Sequence, residues 1–167
     1  MDLKAFVNKE KEQLSLQEEI VKLNKLLSEK IKKKIPEIAE KSFTDFREYF
    51  SIKGFDVTVS AHTITAKIND KKVSLRHEDF NNNYAGTELP FDLEFKFYKN
   101  SSYRLGIFND DAKNPIYETQ LETLQYLKHR LENFANEDWY FMILDKNYTD
   151  KRFSSIKEVL DCLISKM

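Results

Sequence analysis

FDLEFKFYKN SSYRLGIFND DAKNPIYETQ LETLQYLKHR LENFANEDWY FMIL, residues 91–144, is the stretch that decides how the chain folds. Leu93, Phe95 and Phe97 alternate with Glu94, Lys96 and Tyr98, the period of a half-buried strand. Lys99-Asn100-Ser101-Ser102 supplies turn chemistry, and Tyr103, Leu105 and Ile107 resume the alternation, which predicts a hairpin. Asn114 is placed to cap a helix with Pro115 in its first turn and Glu118 at the positive end of the dipole. Tyr117, Leu121, Leu124, Leu127, Leu131 and Phe134 then share one helical face. Trp139 to Leu144 has no polar side, the pattern of an interior strand. A helix between two strands predicts a crossover, with strand 139–144 parallel to strand 103–108.

Working outward, the chain has 167 residues, enough for one domain that buries roughly 70% of its unfolded surface. A hydrophobic content of 41%, with 13% aromatics, excludes a disordered chain. A net charge of −1 offers no global attraction to nucleic acid or to an anionic membrane. Cys162 is the one cysteine, so neither a disulfide framework nor a zinc cluster is expected. No apolar leader or membrane-spanning run is evident, and a soluble cytoplasmic protein is the expectation.

Before residue 54 the pattern is helical. Leu3, Phe6 and Val7 suggest a short helix behind Asp2, and Ser15-Leu16-Gln17-Glu18 reads as a capping box that starts another. Leu16, Ile20, Leu23, Leu27 and Ile31 follow at near-heptad spacing, a face for the chain's own core or for a partner. Pro36 marks a break or restart; Ala39, Phe43, Phe46 and Phe50 line the next helix, and Gly54 closes it. Lys30, Lys32, Lys33 and Lys34 read as a solvated helix end. Residues 55–75 alternate as an antiparallel meander with Asn69-Asp70 as a turn. Residues 78–90 form a long loop whose aromatics, Phe80 and Tyr84, are candidate contact residues. Ser155-Ile156-Lys157-Glu158 is a second capping box, ahead of an amphipathic final helix.

Chemistry is sparse. There is no nucleophile elbow or phosphate-cradling loop, and Cys162 reads as a small core thiol. His77-Glu78-Asp79 invites a metal, but neighbours on a strand point to opposite faces. Glu94-Phe95-Lys96 resembles the Glu-x-Lys element of the PD-(D/E)XK nuclease superfamily, whose coarse order of elements is also similar. That resemblance implies a Mg²⁺-dependent nuclease, with Glu94 as metal ligand and Lys96 polarising water or phosphate. If the crossover is parallel, Asp110, Asp111 and Asp145 gather with Asp92 and Glu94 at one sheet edge, where Mg²⁺ would suit them. The strand before the crossover helix carries Arg104-Leu105-Gly106 in place of Glu-x-Lys.

The expectation is therefore an α+β (mixed α/β) domain spanning 1–167, with a helical segment 1–53 and a sheet-plus-helix core 54–167. It has a five- or six-stranded, mainly antiparallel sheet, N-terminal helices, one crossover helix and a C-terminal helix. The favoured function is a non-catalytic protein–protein interaction module: an accessory subunit, immunity protein or inhibitor. It needs no cofactor and binds through Leu16, Ile20, Leu23, Leu27, Phe80 and Tyr84. Self-association through residues 16–31 is one form of this. A nuclease using Glu94, Lys96, Asp110, Asp111 and Asp145, and nucleic-acid binding without catalysis, are the alternatives.

Overall fold

Asp2 opens a helix that runs without interruption to Ser51. In the computed structural model, which describes residues 1–78, 90–112, 117 and 119–167, this helix α1 spans Leu3–Ser51. The Asp2 carboxylate accepts from the backbone N–H of Lys4 (3.0 Å) and Ala5 (3.4 Å), as the short-helix reading required. At 1.5 Å per residue, 49 residues reach about 73 Å. Three expected helices are thus one. Ser15 lies inside α1 and caps nothing, and the lysines at 30–34 lie mid-helix.

Pro36 also lies inside α1, where it removes one backbone donor. The helix continues because burial fixes it on both sides: Ile31 and Ile35 are buried before the proline, Ala39 and Phe46 after it. Packing here outweighs local propensity. Pro36→Ala should accordingly raise stability by about 1–3 kcal/mol. A thermal midpoint unchanged or lowered would show that the helix does not carry this strain. The C-terminus behaves as expected: Gly54 takes φ +85°, and Phe55 N–H donates to Phe50 O at 3.1 Å.

The sheet has six strands in sequence order, β1 (Asp56–Ser60), β2 (Thr63–Ile68), β3 (Lys71–His77), β4 (Phe91–Lys96), β5 (Asn100–Asn109) and β6 (Trp139–Ile143). Every neighbouring pair is antiparallel. The Asn69-Asp70 turn is as read, with Asn69 at φ +52°. Ile64, Ala66, Val73, Leu75, Phe91, Leu93, Phe95 and Leu105 are fully buried on one face. The C-terminal half of α1 and helix α3 (Ile156–Ile164) cover that face. Ser155 caps α3 by accepting from Glu158 N–H at 3.3 Å, while Glu158 reaches back one residue further, to the Ser154 N–H (2.7 Å).

Tyr49 ties α1 to α3 by donating its hydroxyl to Asp161 at 2.8 Å. Burial, with the Asp161 carboxylate beside it, pushes the Tyr49 phenol up to about 12. Its folded pKa lies above the unfolded value near 10, so the native state holds the proton more tightly. The associated stability is complete below pH 10 and is lost as pH rises toward 12. Tyr49→Phe should flatten that alkaline loss at a cost near 1 kcal/mol at neutral pH. Equal alkaline slopes in denaturant titrations of the two proteins would refute the assignment.

The expected parallel crossover is not formed. Helix α2 (Gln120–Asn133) joins β5 to β6, but it packs along α1 rather than across the sheet. Lys128 meets Glu19 at 3.3 Å and Lys30 lies 5.7 Å from the Phe134 ring, so α2 runs beside α1 in the same direction. The chain leaves the sheet at Asn109 and returns at Trp139, and these two residues are register partners. A connection that returns to the edge it left must lay the next strand antiparallel. Helix α2 starts at Thr119, whose hydroxyl accepts from Glu122 N–H at 3.2 Å. Asn114, Pro115 and Glu118 lie outside the described residues.

Strand β6 is an edge strand rather than an interior one. Its outward Tyr140 stacks against Phe108 (6.1 Å, 22°) and carries the Arg152 guanidinium over its ring at 4.4 Å. Its free edge is closed at one point, where Phe141 and Phe153 exchange backbone hydrogen bonds of 2.7 and 2.9 Å.

Candidate partner-binding surface

Residues 3–15 of α1 are all exposed except as they bond within the helix. Thirteen residues alone make a marginal helix in water, but these continue one nucleated by the core further along. The arm is thus a preformed helix of about 20 Å.

Two apolar stripes run along this part of α1. Leu16, Ile20, Leu23 and Leu27, expected to form a face for the chain's own core or for a partner, face α2: Leu27 is buried, and Ile20 and Leu23 are half-buried against the core. Leu16 is half-buried at the start of that contact. The second stripe is Leu3, Val7, Leu14 and Val21, with Phe6 at its flank. These five side chains are 45–67% exposed. At 100° per residue the four stripe positions fall within about 40° of one another and roughly 145° from the packed stripe. The expectation of one helix behind Asp2 and another starting at Ser15 divides this stripe between two elements, so its continuity shows only in the uninterrupted α1. The seven-residue recurrence of Val7, Leu14 and Val21 was the available signal. Phe80 and Tyr84 lie outside the described residues.

The carboxylates proposed for a metal are dispersed. Glu94 and Lys96 project from the open face of β4 and pair with each other at 3.3 Å. Glu94 stands opposite Ser102, and Asp110 lies just past the far end of β5, whose last residue, Asn109, is seven residues and about 23 Å further along. Asp110 accepts from Tyr140 (2.9 Å) and Arg152 (2.6 Å). That contact raises the Arg152 pKa, while burial first and Asp110 second raise that of Tyr140. Asp111 is held beside Asn109, whose side chain accepts its backbone N–H at 2.9 Å. Asp145 caps a turn of 3₁₀ helix by accepting from Asn147 N–H (2.9 Å), near the opposite end of β5 from Asp110. Antiparallel pairing puts Asp110 and Asp145 at opposite ends, so these residues do not fit one shared Mg²⁺ site. Among the described residues, no three His, Cys, Asp or Glu side chains gather where one ion could be held.

His77 is buried among the rings of Phe43, His62 and Phe91. Cys162 is a half-buried free thiol against the core. On the open face, Lys67, Lys72 and Lys96 stand in one cross-strand row, an arrangement of like charges that costs stability. No helix among the described residues is long and apolar enough to cross a membrane. Comparison with known proteins finds no matching family model, no similar curated protein and no matching solved structure.

Proposed function

We propose that this protein is a non-catalytic protein–protein interaction module, of the accessory-subunit, immunity or inhibitor kind, which binds through the free stripe of α1. One observation carries this reading: a preformed helix presents Leu3, Phe6, Val7, Leu14 and Val21 to solvent while a different stripe of the same helix holds the fold together. Helices recognised in grooves offer anchors at such spacings, and a helix already folded avoids most of the ordering cost of binding. The five side chains leave roughly 500 Å² of apolar surface, within the range at which a patch marks an interaction site.

The test is capture from host extract by the tagged wild-type chain and by Leu14→Glu, each with and without nuclease. Leu14 is exposed, so the substitution should move stability by less than about 0.5 kcal/mol. A protein held by wild type, retained after nuclease and lost with Leu14→Glu is the expected result. Capture that disappears on nuclease treatment would instead assign binding to nucleic acid at the Lys67–Lys72–Lys96 row. Capture indifferent to Leu14→Glu would remove the stripe from the account.

A further inference from the structure

We infer that the outer edge of β1 is a second docking site, separate from the free stripe of α1. It takes an extended segment of a partner protein as a seventh strand, antiparallel to β1.

Backbone chemistry identifies the occupant. Strand β1 ends in the two-residue turn Ala61-His62, so Ser60 and Thr63 form the hydrogen-bonded pair that closes the hairpin. Alternation then turns the N–H and C=O groups of Asp56 and Thr58 toward β2, and those of Val57 and Val59 outward. Among the described residues nothing bonds these four outward groups, whereas the opposite edge of the sheet is closed at Phe141 by Phe153. A line of alternating donors and acceptors at this spacing is matched by another extended polypeptide.

A cleft beside this edge says which side chains the segment carries. Val57 and Val59 share the helix-facing side of the sheet with their register partners Ala66 and Ile64, which are fully buried. Val59 is nonetheless 47% exposed, since it borders a cleft of about 510 Å³ between α1 and the β1–β2 hairpin. Pro36 and Phe43 give the cleft an apolar wall, and the exposed Thr44 and Arg47 stand at its rim. Residues directly opposite each other in an antiparallel pair point to the same face. The two residues of the segment that bond Val57 and Val59 therefore turn their side chains toward α1. The segment that fits has apolar side chains at alternate positions, at least one of them large enough to fill the cleft. The β1 strand of a second copy does not meet that requirement. Paired about Thr58, it offers only valines at the two positions, and most of the cleft stays empty.

The experiment is selection of short random peptides, displayed on phage, against the full chain. The recovered sequences are then synthesised and their Kd measured by fluorescence anisotropy. They should carry apolar residues at alternate positions. N-methylation at those positions removes the N–H that faces β1 and should weaken binding at least about tenfold, while methylation at the intervening positions leaves it within about twofold. Val59→Pro removes one outward donor and spares the ladder to β2; Thr44→Trp fills the cleft from an exposed position. Each should weaken binding at least about tenfold.

Enrichment of no peptide, or of peptides without the alternation, overturns the inference, as does binding indifferent to the position of the N-methyl group. If Val59→Pro fails to fold, the N-methyl series and Thr44→Trp still decide. Self-association of the chain that Val59→Pro abolishes would overturn the occupant in favour of a second copy. Binding lost with Leu14→Glu but kept with Thr44→Trp would place the peptide on the free stripe of α1. That result removes this site and leaves the proposed function standing.

Discussion

Glu137→Ala should lower the unfolding free energy by about 3–5 kcal/mol, far more than its place just before a strand suggests. The Glu137 and Arg130 side chains are 2% and 6% exposed, and Arg130 Nε donates to Glu137 at 2.9 Å. The second carboxylate oxygen of Glu137 accepts from the Asn109 amide at 2.5 Å. The cluster therefore joins the residue where the chain leaves β5, a residue of α2 and the residue that leads into β6. Removing the carboxylate leaves a guanidinium buried without a counter-charge and an amide without an acceptor.

Because desolvation offsets much of a buried pair's attraction, Arg130→Met with Glu137→Leu together should come within about 1–2 kcal/mol of wild type. Urea unfolding of the two single variants and the double would measure the coupling. A Glu137→Ala protein less than 1 kcal/mol destabilised would show that the pair does not hold the excursion closed.

Phe46→Ala is expected to cost a similar amount, about 3–5 kcal/mol. The ring is fully buried and lies 4.7 Å from that of Phe50, on the part of α1 that packs the sheet. Its loss opens a cavity between rigid layers that cannot close around it. The consequence extends to the exposed arm, because a free helix of that length does not persist once its packed continuation melts. The helical signal of the arm should therefore disappear in the same transition as the sheet. A separate early transition in circular dichroism, with the sheet intact, would mean that the arm does not depend on the core.

The local features were legible in the sequence for local reasons. Asp2, Gly54, Asn69-Asp70 and Ser155 each act on backbone groups within a few residues, and the structure places each where its chemistry requires. The alternation along β2 to β5 likewise identified the buried faces, since side-chain direction along a strand has a fixed period. The α+β class and the antiparallel sheet followed from those readings.

Periodicity reports that a face is buried, and not what buries it. Leu124 and Leu127 mark the inner side of α2 equally well whether that side meets a sheet or another helix. It meets α1, so β6 turned out antiparallel and the acidic edge expected from a crossover dissolved with it. Pro36 is a helix breaker on local grounds, yet burial of Ile31, Ile35, Ala39 and Phe46 carries the helix through it. The Arg130–Glu137–Asn109 cluster joins residues up to 28 apart, beyond the reach of any spacing rule. What the sequence determined by itself was which side chains seek burial. The tertiary structure decided which of two apolar stripes on α1 found it, because α2 could cover only one.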